Sequence, residues 1–143
     1  MLDGIMNHAV RFRFAVRKKL AMLKRFLTWS ADLTWRKVLL WGLAAAVLFE
    51  AITLILRFGF SLESTRETAM IGTMTLGLRI HHAYIGILLM PLGWCFPRGI
   101  RNALWIVGIG LILSDAAHHF LVLWPIVGSP QFDLVYPNHP WWS

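Results

Sequence analysis

The chain has 143 residues, a length suited to one domain, with a net charge of +7 and 57% hydrophobic residues. Its mean hydropathy of +0.60 excludes an ordinary soluble composition and points to a membrane protein. The single cysteine, Cys95, excludes a disulfide framework and a thiolate metal cluster within one chain, so any metal must be held by nitrogen and oxygen.

The first 37 residues carry nine Lys or Arg and two acids. No apolar run with a small-residue cleavage site follows closely, so this segment is expected to be retained. Phe12, Val16, Leu20, Leu23 and Leu27 recur at three- and four-residue steps, with Arg11, Lys18 and Arg25 on another face. That spacing predicts an amphipathic helix over residues 8–27 lying on an anionic membrane leaflet. A nucleic-acid arm is the rival reading. Bulky apolar residues among the basic ones, and an adjoining apolar segment, favour lipid and no nucleic acid.

Three membrane spans are expected next. Residues 38–56 lie between Lys37 and Arg57 with Glu50 as their only charge, about the length a bilayer core requires. A second span is placed at 78–96, ending before Pro97 and Arg98, and a third at 102–124, ending before Pro125. Ser64-Thr65-Arg66-Glu67 has the spacing of a capping box, so the second helix could extend from residue 65. At that length it would tilt, emerge into solvent, or break near Gly72 or Gly77. Residues 125–143, with Pro130, Pro137 and Pro140, lack periodicity and read as an outer-face tail. The fold class expected is therefore all-α integral membrane, with three transmembrane helices preceded by a basic amphipathic interfacial helix.

Orientation follows from charge. The basic N-terminal segment and the Arg98 to Arg101 turn belong on the cytoplasmic side by the positive-inside rule, which predicts a bacterial cytoplasmic membrane, N-terminus inside and C-terminus outside. Trp41, Trp94 and Trp105 fall at the expected inner boundary, and Trp124, Trp141 and Trp142 at the outer one, as an aromatic belt would.

Glu50, His81, His82, Asp115, His118 and His119 interrupt these apolar segments. Ionisable groups in hydrocarbon are costly and usually mark a site. At 1.5 Å per residue, Glu50 lies about 20 Å above Lys37, His82 about 22 Å above Pro97 and Asp115 about 21 Å above Arg101, a common layer. Asp115, His118 and His119 stand three and four residues apart and so share a helix face. His82 shares a side with Gly86 and Gly93, while His81 points about 100° away. Ala46, Glu50 and Thr53 share a face of the first span.

Histidines with carboxylates suit iron, zinc or manganese, so all six residues are candidate ligands for one or two divalent ions. The Asp115-Ala-Ala-His118-His119 segment resembles one histidine box of the membrane-bound fatty-acid desaturases and hydroxylases. That likeness covers about five residues and the other boxes are missing, so it assigns neither activity nor family. A catalytic site of this kind implies metal-assisted oxidation or hydrolysis of a lipid-soluble substrate, with Glu50 or a non-ligating histidine as acid or base.

Other readings stand beside this one. A lone intramembrane His or Asp is often a satisfied interhelical hydrogen bond, and Glu50 with Arg57 or Arg79 would make a structural ion pair. His82 and His119, on different helices at one depth, could ligate haem, or one of them a chlorophyll-type pigment, in a subunit of a homo-oligomer or larger membrane complex. A proton path is disfavoured because the spans below this layer are almost wholly apolar.

Overall fold

The computed structural model describes residues 2–59 and 81–130, with side chains from residue 11 onward. Helix α1 spans Leu2–Ala31, and α2 spans Trp35–Leu54 and continues as a π-helical segment, Ile55–Gly59. Helix α3 spans His82–Gly93. Helix α4 spans Arg98–Ala117 and continues through a π-helical segment, His118–Leu123, into a last α-helical turn, Trp124–Val127.

Short links fix the order of these helices. Thr34, in extended conformation, separates α1 from α2. The turn Trp94 to Phe96 closes through backbone bonds back to Pro91, Leu92 and Gly93. Pro97 then holds an extended conformation and supplies the carbonyl that accepts from Arg101 N–H, so α4 starts beside the end of α3.

Helix α4 is the central element. Helix α2 runs parallel to it: Leu33 lies by Arg98, Gly42 by Ile109, Gly110 by Phe49, and Glu50 by Ser114 and His118. Helix α3 runs antiparallel, with Gly93 by Trp105, Gly86 by Gly108, and His81 by Asp115 and His119. The end of α1 seats on the start of α4, where Ser30 Oγ donates to the Gly99 carbonyl at 2.9 Å and Asn102 Nδ2 donates to the Ser30 carbonyl at 2.8 Å.

Small residues let α3 and α4 meet backbone to backbone. A Cβ built on Gly86 would stand 2.5 Å from the Gly108 carbonyl oxygen and 2.8 Å from Ile112 Cγ1. Because that oxygen is main chain, relief requires the helices to separate. Gly86→Val is therefore expected to lower stability by about 1–3 kcal/mol and to weaken any ligand held between the two helices. Thermal unfolding with and without divalent metal checks both effects. An unchanged midpoint would contradict this packing.

The three-span expectation is corrected. Among the described residues only two helices, Trp35–Gly59 and Arg98–Val127, are long and apolar enough to cross a membrane. Helix α3 has 12 residues and so reaches about 18 Å, well short of a hydrocarbon core of roughly 30 Å. The second span placed at 78–96 is thus reduced to His82–Gly93, and its possible extension from 65 lies outside the described residues. With two such helices, the placement of N-terminus inside and C-terminus outside loses its basis. The capping box, Gly72, Gly77, Arg79, Trp141, Trp142 and most of the tail also fall outside the described residues.

Candidate metal centre

The ends of α2 and α4 and the start of α3 converge on one cluster. His81, Asp115 and His119 are all buried, and one ligand atom from each lies within 4.8 Å of the others. His81 Nδ1 stands 3.2 Å from His119 Nε2 and 3.6 Å from Asp115 Oδ2, and His119 Nε2 stands 3.9 Å from Asp115 Oδ1. Ligands bonded at 2.0–2.2 Å to a shared ion stand about 2.9–3.6 Å apart, so small side-chain adjustments bring this set to coordination geometry. A buried His/His/Asp cluster able to coordinate a divalent ion is therefore present.

Backbone conformation decides which histidine enters. His81 is the cap residue before α3, with φ −90° and ψ 144°, so its side chain does not follow the helical rotation of the residues after it. The expectation that His82 shares the inward side with Gly86 and Gly93 assumed a helix running through both histidines. In the structure Gly86 and Gly93 face α4, whereas His82 is 64% exposed and reaches only to 3.8 Å from Asp115 Oδ1. His81 takes the interior position.

Asp115, His118 and His119 do not act as one face. His119 turns toward Asp115 and His81, while His118 Nδ1 meets Glu50 Oε1 of α2 at 3.0 Å. Ser114 Oγ donates to Glu50 Oε2 at 3.4 Å. The change from α- to π-helical winding begins at His118, and the two neighbouring rings stand 5.6 Å apart at 85°. Such π-helical insertions alter side-chain direction locally and recur at functional sites. The result is two adjoining groups, His81/Asp115/His119 and Glu50/His118/Ser114.

The hydrogen bond at the back of His119 fixes its tautomer. His119 Nδ1 lies 2.6 Å from the Pro130 carbonyl oxygen, an atom that can only accept, so Nδ1 carries the hydrogen. In the neutral ring the lone pair is then on Nε2, which faces His81 and Asp115. Metal-binding histidines are commonly oriented in this way by a carbonyl or carboxylate. Asp115 Oδ2 is buried with no hydrogen-bond partner, a costly state for a carboxylate oxygen unless a cation completes it.

Two contributors carry no sequence signal of their own, the Pro130 carbonyl and the π-helical winding. Gly128 does. It ends the last helical turn at φ 76°, a left-handed conformation natural to glycine, and lets the chain double back toward His119. No atom crowds a Cβ there, so Gly128→Val acts through backbone conformation alone. It is expected to weaken metal affinity about 10- to 100-fold, the usual effect of losing a partner behind a ligand, with all ligands kept. Metal titration against a chromophoric chelator checks this.

Compared with protein-family models, with curated proteins and with solved structures, the chain finds no match.

Proposed function

We propose that this chain is a small membrane protein that binds a divalent metal ion through His81, Asp115 and His119. The observation that carries the reading is the buried Asp115 Oδ2, without a hydrogen-bond partner and 3.6 Å from the buried His81 ring, with the buried His119 ring 3.9 Å from the other carboxylate oxygen. Two histidines and one carboxylate leave coordination positions open, the donor set used by non-haem iron oxygenases and by zinc hydrolases. A bound ion would supply Lewis acidity or an activated oxygen ligand. Glu50 and His118, hydrogen-bonded beside the cluster, are suited to hold a proton or to ligate a second ion. The reaction class is metal-assisted oxidation or hydrolysis of a lipid-soluble substrate.

Membrane placement is supported by where the apolar surface lies. Only 17% of the apolar stretch of α2 and 39% of that of α4 is buried within the chain, unlike the core helix of a soluble protein. Leu40, Val47, Leu88 and Leu121 are all exposed, and lipid or further subunits would cover them. Phe12, Leu20 and Leu23 are exposed on α1, suiting it to an anionic lipid surface.

The tetrapyrrole alternative loses support from the same geometry. His82 is mainly exposed, and His119 has one ring nitrogen against Pro130 and the other 3.2 Å from His81, which leaves no face for a macrocycle. Metal analysis with an absorption spectrum of detergent-purified protein separates the readings. The expected result is about one divalent ion per chain, retained on dialysis, without a Soret or chlorophyll band. A tetrapyrrole spectrum, or failure to take up zinc, manganese or ferrous iron, would overturn the proposal.

A further inference from the structure

At the opposite end of the bundle a second polar site lies between the starts of α2 and α4. A cavity of about 200 Å³ is lined by Arg98, Arg101, Asn102, Trp35 and Trp105, together with Leu33 and Val38. Arg101 is held in place by two indoles, its guanidinium carbon 5.4 Å from the Trp94 ring and 5.4 Å from the Trp105 ring. Trp105 is itself anchored, its Nε1 donating to the Met90 carbonyl at 2.9 Å. Yet Arg101 Nε is buried with no hydrogen-bond partner. Arg98 gives one bond, from Nη2 to the Leu33 carbonyl at 3.3 Å, which leaves most of its five donors for other use.

The helix ends around this cavity lack what helix starts normally have. Neither α2 nor α4 has a side-chain cap or an acidic residue in its first turn. Instead Arg36 and Lys37 occupy the first turn of α2, and Arg98 and Arg101 the start of α4. Because the helices are parallel, two positive dipole ends and four cations gather at one end, an arrangement each dipole disfavours. Asp32, in the link before α2, is exposed. A bound anion would offset this accumulation.

We propose that this cavity binds a phosphate group. Paired guanidinium forks beside helix N-termini are matched to its oxygens, and the indoles of Trp35, Trp94 and Trp105 suit the boundary where a phospholipid headgroup meets its acyl chains. An anionic phospholipid is therefore the expected source, which rests on the membrane placement proposed above. A soluble phosphate would use the same donors without it.

The test uses the full chain in an uncharged maltoside detergent. Intrinsic tryptophan fluorescence is titrated with short-chain phosphatidylglycerol, with phosphatidylcholine of the same chain length, and with inorganic phosphate. A saturable change with phosphatidylglycerol, stronger than with phosphatidylcholine, is expected. Arg98→Gln with Arg101→Gln should weaken it about tenfold or more, Arg101→Lys should weaken it partly by removing the planar fork, and Arg57→Gln, at the far end of α2, should leave it unchanged. Saturable binding of inorganic phosphate alone supports the phosphate site and assigns it a soluble ligand, separating failure of the membrane placement from failure of the site. Equal binding by the folded double-arginine variant overturns the proposal. If that variant loses its helical circular dichroism, the unmodified protein decides: no saturable response to either phosphatidylglycerol or phosphate overturns the proposal.

Discussion

His119→Ala is expected to reduce divalent metal affinity by well over the roughly hundredfold that loss of a partner behind a ligand can cost. His119 is the residue most tightly built into the cluster: its Nδ1 is fixed by the Pro130 carbonyl, and its Nε2 faces both His81 and Asp115. Its removal takes away a donor atom and empties part of the buried space. His82→Ala, at an exposed position 3.8 Å from Asp115, should lower affinity far less. His118→Ala should fall between them, because it releases Glu50 without removing a member of the His81/Asp115/His119 set. Competition titrations of the four proteins in one detergent give this ranking directly. Equal loss in His82→Ala and His119→Ala would contradict the assignment of the inward histidine.

The second large effect concerns stability. Asp115 Oδ2 is buried without a hydrogen bond, its nearest ionisable neighbour being His81 Nδ1 at 3.6 Å, a state that costs the metal-free protein about 1–3 kcal/mol. A ligand that binds only the folded state stabilises it by about 4 kcal/mol at a thousand times its dissociation constant. Saturating zinc or manganese is therefore expected to raise the thermal midpoint of the unmodified protein and to leave that of Asp115→Asn unmoved. Without metal, Asp115→Asn should be no less stable than the parent, because the amide is nearly isosteric and Oδ2 makes no hydrogen bond to lose. A midpoint that rises equally with metal in both proteins would show that stabilising metal binds elsewhere.

Much of the candidate site is legible in the sequence because an apolar setting makes ionisable residues conspicuous. Counting residues from the basic boundaries puts Glu50, Asp115 and the histidines at one level, and the structure brings Glu50 to His118 and Asp115 to His81 and His119. Facing is less legible. Uniform helical rotation fails at His81, where the backbone is extended, and at His118, where the winding becomes π-helical. The carbonyl of Pro130 is invisible to side-chain patterning, since every residue has one. The three-span expectation treated an apolar stretch as a helix of matching length, whereas the helix described between His82 and Gly93 is half to two-thirds of what a bilayer core demands. The charge clusters at the starts of α2 and α4 are plain in the sequence, but their convergence is a property of parallel packing that only the fold reveals.

X-ray absorption spectroscopy of the zinc-loaded protein in detergent tests the metal site most directly. The scattering should fit nitrogen and oxygen neighbours at about 2.0–2.2 Å, with the outer-shell pattern of two imidazoles, and the imidazole contribution should fall in His81→Ala. Sulfur at about 2.3 Å, or an imidazole contribution unchanged in both His81→Ala and His119→Ala, would place the ion elsewhere and contradict coordination by His81, Asp115 and His119.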